Sequence, residues 1–146
     1  MNLSKPSNAL GQYRKTDAHG AAAADDRLQL VLHMMQGALD RIATARGHMK
    51  RREVAKKGEE IGRAIGLIDG LRACLDKEAG NDIAGNLEAL YQYMLKRLVE
   101  ANLNDEPTGL DEVADLLGEI KAGWQQMAVE YRPATAQAAT TSDVTA

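Results

Sequence analysis

Apolar residues recur along most of this chain in alternating steps of three and four, and four such ladders can be drawn. The first is Leu28, Val31, Met35, Ala38, Ile42, Ala45 and Met49. Steps of that kind keep one stripe of a helix facing a partner. They predict a helix that starts near Asp25 and Asp26, whose carboxylates suit a helix N-terminus, and ends at the basic run Lys50, Arg51, Arg52. The second ladder, Val54, Ile61, Ile65, Ile68 and Leu75, is flanked by Ala64, Leu67 and Leu71 and predicts a helix over residues 53–76. "KEAGND" then interrupts the pattern; Gly80 suits a left-handed C-cap, and Asn81 or Asp82 can cap the next helix. Ile83, Leu87, Leu90, Tyr91, Met94 and Leu98 mark a third helix over residues 82–103. After "NDEPTG", with Pro107 or Thr108 in its first turn, the fourth carries Leu110, Val113, Leu117, Ile120, Trp124, Met127 and Tyr131. Short connections force successive helices to run in opposite directions. The pattern therefore predicts an all-α fold, an antiparallel up-and-down four-helix bundle over residues 25–131. Residues 1–24 lack a sustained apolar period and read as a flexible N-terminal arm. Residues 132–146, which open with Arg132 and Pro133 and are rich in Ala and Thr, read as a disordered tail.

Composition agrees with helices: aromatic residues are 3% of the chain, Phe is absent, and Ala, Leu and Met are abundant. A formal net charge of -3 offers no basic field for nucleic acid. No run is long enough to span a membrane and no N-terminal stretch resembles a signal peptide, so the expectation is a cytoplasmic protein with no membrane insertion. Cys74 is alone, which fits a reducing compartment.

The chemistry of catalysis finds no foothold. Bundle cores that hold two metals use paired Glu-x-x-His motifs, and none is present; His19, His33 and His48 are scattered. There is no phosphate-binding glycine loop. The acidic stretch "NDEPTGLDEVAD" lacks the ligand spacing of a calcium loop. No catalytic residue, metal ligand or cofactor is expected, and Cys74 reads as a small packed side chain. Lys50, Arg51, Arg52, Lys56 and Lys57 form a basic cluster that reads as a solvated turn favoured by the helix dipole, with an anion patch as the alternative.

Binding is the remaining class. "GEEIGRAIGLIDG" places glycine at positions 58, 62, 66 and 70 of one helix, each costing roughly 1 kcal/mol relative to alanine. Steps of four drift by about 40° each, so the glycines sweep an arc opposite the Ile61, Ile65 and Ile68 face. That outer side is small and smooth, open to a partner's backbone, to the chain's own arm or to water. Leu30 and Met34, with Gly37, form a narrow apolar strip off the first helix's seam. Tyr93 points away from the Tyr91 ladder, and Leu116 sits at the edge of its own. The candidate partner-binding residues are Leu30, Met34, Gly37, Gly62, Gly66, Gly70, Tyr93 and Leu116.

"NLEALYQYMLKRLVEAN" (residues 86–102) resembles the third-helix signature of the FliS family of flagellar secretion chaperones. "LVLHMMQGALDRI", "AIGLIDGLRACLD" and "LDEVADLLGEIKAGWQQM" support the match in the family's order, over about residues 10–131. "LGQY", with Leu10 and Tyr13, is similar to a tyrosine-bearing segment before the family's first helix. The resemblance implies a cytosolic bundle that binds the disordered C-terminal segment of flagellin, prevents premature polymerisation and hands it to the flagellar type III export gate. It also implies that the arm around Leu10 and Tyr13 covers part of the groove until the client displaces it. Where many members read "LYDG", this chain has Met34, Met35, Gln36 and Gly37, so an aromatic and an acid are replaced on the first helix. The residues alone leave open a second role, a regulatory or scaffold bundle that takes another amphipathic helix, such as an anti-sigma factor or another flagellar component.

Overall fold

The computed structural model describes the backbone of residues 6–75 and 82–130, and side chains over residues 22–75 and 82–129. Its four helices are, in order, α1, Pro6–Lys50; α2, Val54–Ala73; α3, Asp82–Asn104; and α4, Pro107–Glu130. The last three lie within three residues of the positions that periodicity assigns them. α1 does not: it begins at Pro6, well before Asp25. Proline at a first helical position gives up no intrahelical hydrogen bond, and the run Ala21 to Ala24 consists of the best helix former. An apolar stripe marks where a helix packs, not where it starts. The expected tail, Tyr131 and the "KEAGND" break from Asp76 onward to Asn81 lie outside the described residues.

The chain divides into two compact units, Val31–Gln125 and Met1–Leu30 with Gln126–Ala146. The first of these is the bundle. Val31, Met35, Ala38, Ile42, Ala45 and Met49 of α1 are buried, as are Ile61, Ala64, Ile68 and Leu71 of α2. Tyr91, Met94, Leu98 and Ala101 of α3 meet Leu110, Val113 and Leu117 of α4 in the same core. Each large side chain so buried contributes about 1.5–3 kcal/mol relative to exposure. In the second unit, the described side chains include Leu30, Met127 and Val129, all exposed, and a half-buried Leu28.

Cross-helix contacts set the order and direction of the helices in the bundle. Arg41 Nη1 meets Glu60 Oε2 at 3.0 Å between α1 and α2, while Met34, earlier in α1, lies against Gly70, later in α2. Between α2 and α3, Lys57 reaches the carbonyl of Asn102 at 3.0 Å and Arg72 lies 3.6 Å from Glu88. Arg97 bonds Glu106 at 2.9 Å across the α3–α4 turn, and Tyr93 donates to Glu112. Arg46 grips Asp111 through two bonds of 2.6 and 3.1 Å, and Lys121 bonds Gln36 at 2.6 Å, joining α4 to α1. In every pair the numbers run oppositely. The fold is an antiparallel up-and-down four-helix bundle.

Two tight turns carry non-glycine residues with positive φ, Arg52 at 59° and Asp105 at 51°. At the first, the Glu53 N–H donates to the His48 carbonyl at 2.9 Å and the Arg52 N–H to that of Met49 at 3.1 Å. This is a Schellman cap, usually given to glycine because a Cβ in the left-handed region costs about 1–2 kcal/mol. At the second, the Glu106 N–H donates to the Ala101 carbonyl at 3.0 Å.

The second ladder needs correction. The buried stripe of α2 is Lys57, Ile61, Ala64, Ile68 and Leu71, again in steps of four and three, and it opens on a lysine. Val54 is 67% exposed, and Ile65 is half-buried. Lys57 is 4% exposed, yet its charge is fully engaged: Nζ donates to the Asn102 carbonyl at 3.0 Å and to Asp105 Oδ1 at 2.5 Å. A cation thus satisfies an orphan carbonyl at the C-terminal end of α3. On α3 and α4, Ile83, Leu90 and Met127 are exposed although the periodicity counts them in the seam.

Candidate functional site

The glycine arc of α2 resolves into three environments. A Cβ built on Gly58 would lie 4.0 Å from Asn102 Nδ2 of α3. One on Gly62 or Gly66 would meet nothing within 4 Å, and both positions are exposed. One on Gly70 would stand 2.5 Å from Met34 Cε of α1. The drift of a four-residue step carries the glycines from the α3 flank, over the outer face, to the α1 flank. Only the middle two leave open surface.

Gly37 belongs with Gly70. Its Cβ position lies 3.2 Å from Leu67 Cδ1, so both glycines let α1 and α2 approach, and the half-buried Met34 fills the space at Gly70. Tyr93 and Leu116 occupy the α3–α4 flank. Tyr93 is 45% exposed and its hydroxyl donates to Glu112, which raises the pKa of the phenol; burial adds to the effect. Arg97, 3.5 Å from the same carboxylate, holds it in place. Leu116 is half-buried against the core, one turn beyond Glu112 on α4. Leu30 is 54% exposed and falls in the other unit. Leu10 and Tyr13 lie in α1, with side chains outside the described residues. Within the bundle the described candidates are therefore spread over separate flanks.

Periodicity overlooks part of the exposed apolar surface. Val99 and Leu103 of α3 are 47% and 75% exposed, and with the half-buried Leu95 they form a second row at steps of four, outside the Tyr91, Met94, Leu98 and Ala101 seam. The spacing of Leu95, Val99 and Leu103 is itself the signal that would have found them. Tyr91, by contrast, belongs to the core: burial pushes its phenol up to about 12, and it stays neutral.

The basic cluster is not one solvated turn. Lys57 is internal. Arg51 Nε donates to Glu53 Oε1 at 2.5 Å, His48 Nδ1 is 3.3 Å from the same oxygen and Lys56 is 3.4 Å from Oε2. The hydrogen bond from Arg51, then that from His48, hold the Glu53 carboxyl at about 2. Among the described residues no group of His, Cys, Asp and Glu is arranged to hold a metal ion, and no helix is long and apolar enough to cross a membrane. Cys74 is half-buried against the core.

The bundle has a complete core and leaves apolar rows outside it. The chain belongs to the family described as flagellar protein FliS, whose model matches residues 7–131. This is a family of flagellar secretion chaperones, not of enzymes. The chain is 47% identical over 116 residues to the flagellar secretion chaperone FliSB of Pseudomonas aeruginosa, covering 80% of this chain and 92% of that one. It is 35% identical over 128 residues to the flagellar secretion chaperone FliS of Vibrio cholerae, covering 88% and 94%. The FliS of Salmonella typhimurium is 37% identical over 116 residues, covering 79% and 86%.

Proposed function

We propose that this chaperone works in the cytosol, where it binds the disordered C-terminal segment of flagellin, keeps that segment from polymerising and hands it to the flagellar export gate. The observation that supports this most is apolar surface in excess of what the core needs. Val99 and Leu103 are exposed on α3, and the neighbouring α2 presents Gly62 and Gly66 with no side chain above the backbone.

Magnitudes favour a wrapping client. Ordering one residue of a disordered segment costs about 1–2 kcal/mol, while burying one Leu or Val returns about 1.5–3 kcal/mol. One short groove cannot offset the ordering of a long segment. Coupled folding and binding typically buries on the order of 1,000–3,000 Å². Contact spread over several flanks supplies that area, which accounts for Tyr93 and Leu116 lying on a different flank from Gly62 and Gly66. In this reading Met34, Gly37 and Gly70 shape the α1–α2 seam beneath the client, Leu30 is a further candidate contact, and the segment with Leu10 and Tyr13 acts as a cover that the client displaces.

Co-expression with flagellin tests the reading. Full-length flagellin is expected to co-purify as a soluble complex, and flagellin without its C-terminal segment is not. Equal recovery of both would place the client site on another part of flagellin.

A further inference from the structure

Six of the chain's 18 Lys and Arg residues lie between positions 46 and 57: Arg46, Lys50, Arg51, Arg52, Lys56 and Lys57. The chain as a whole is acidic, with a formal net charge of -3. The α1–α2 turn is therefore locally basic, although the α3–α4 turn and the start of α4 at the same end carry Asp105, Glu106, Asp111 and Glu112, which pair with Lys57, Arg97, Arg46 and Tyr93. Two of the six are neutralised by ion pairs elsewhere in the bundle, Arg46 by Asp111 of α4 and Lys57 by Asp105 of the α3–α4 turn. The other four are exposed at the α1–α2 turn and share one carboxylate, Glu53, with Arg51 and Lys56 beside it. Lys50 and Arg52 have no ion-pair partner among the described residues.

The backbone adds a second, independent observation. Arg52 holds φ at 59°, in the left-handed region where glycine would sit without strain. A cation thus sits where a Cβ is disfavoured, and Arg52 is exposed with no ion pair to a described residue. Next to it Val54, the first residue of α2, is 67% exposed.

We propose that the α1–α2 turn is a docking surface for an acidic protein segment, with Lys50, Arg51, Arg52 and Lys56 receiving carboxylates and Val54 receiving an apolar side chain. The Schellman cap fixes the turn, so the cations are presented with little backbone freedom to lose. Residues 46–57 contain no Phe, Tyr or Trp, and the one ring among them, His48, is only 16% exposed, which disfavours stacking on bases. A single exposed valine gives a membrane little to hold, which disfavours a lipid surface. This surface shares no residue with the client-binding set and does not depend on that reading.

The test uses the full chain and a fluorescent peptide of repeating Glu-Glu-Leu, with fluorescence anisotropy at about 20 mM salt, where screening is weak. Saturable binding that weakens steeply towards physiological salt is expected. Arg52→Gly should raise Kd about three- to tenfold while leaving the circular dichroism unchanged and the melting temperature equal or higher. The triple variant Lys50→Gln, Arg52→Gly, Lys56→Gln should abolish binding. Lys96→Gln, which removes an exposed cation on α3, should leave it unchanged. No binding at about 100 µM peptide, or a triple variant that binds like the parent, overturns the proposal. So does tighter binding to phosphatidylglycerol vesicles or to an oligouridine than to the peptide.

Discussion

A Cβ added at Gly109 would stand 2.8 Å from the Cβ of Ala101, and one added at Gly62 would meet open space. The same substitution should therefore act in opposite directions. Gly109→Ala pushes α3 and α4 apart at a point where neither partner has a flexible end to move, and should cost about 1–3 kcal/mol in urea unfolding. Gly62→Ala only gains helix propensity and should stabilise by up to about 1 kcal/mol. If Gly109→Ala stabilises the protein, the close α3–α4 approach is wrong. Lys57→Met keeps the apolar stem but strands the Asn102 carbonyl. Its expected cost is about 1–3 kcal/mol, nearly all from the carbonyl; the Asp105 side chain is 65% exposed and stays solvated, so adding Asp105→Asn should recover little. Lys57 also shows a limit of reading by residue type. It stands at a core step of α2, four before Ile61, but a lysine in a hydrophobic ladder looks like a gap. Only the position of the α3 C-terminus, a tertiary fact, explains why the charge is tolerated.

At the scale of elements, α2, α3 and α4 were legible because strong apolar periods are bounded by real breakers, Pro107 above all. The start of α1 was not, since the sequence between Pro6 and Asp25 helps a helix form without giving it a face to bury. Exposed apolar rows are hard to read for a related reason. Leu90 and Ile83 look like core in a one-dimensional pattern, and only the placement of neighbouring helices leaves them outside. The α1–α2 turn gives a pH prediction. Glu53 is held at about 2 in the folded protein against an ordinary value of 4.5, through its bonds with Arg51 and His48. A carboxyl bound less tightly by protons in the folded state contributes stability above its ordinary value and loses it as pH falls. The contribution should be full above pH 4.5 and fade towards pH 2. Glu53→Gln should flatten the acid side of a melting-temperature profile across that window and leave the neutral region less stable than the parent. Identical profiles would show that the turn's ion pairs contribute nothing.

For the whole molecule, the family and the bundle were legible in the sequence, and the layout of the candidate site only partly. The four-residue spacing puts four glycines on one outer arc, but Gly58 lies beside α3, the space at Gly70 is filled by Met34 of α1, and only Gly62 and Gly66 stay open. Helical drift is readable from spacing; which neighbour stands at each end of the arc is not. Deleting residues 1–20 should leave the bundle folded and change client affinity, and unchanged affinity would remove the proposed cover. Gly66→Leu should fold normally, since nothing stands within 4 Å of its Cβ position, yet weaken client binding by covering the open backbone. The most direct measurement is titration of the protein with a peptide of the flagellin C-terminal segment, monitored by calorimetry and far-ultraviolet circular dichroism together. The expected result is a saturable complex whose helicity exceeds the sum of its parts and whose affinity falls with Gly66→Leu. No heat and no gain in helicity at tens of micromolar, a level that would reveal an interaction of about 6–7 kcal/mol, would contradict the account.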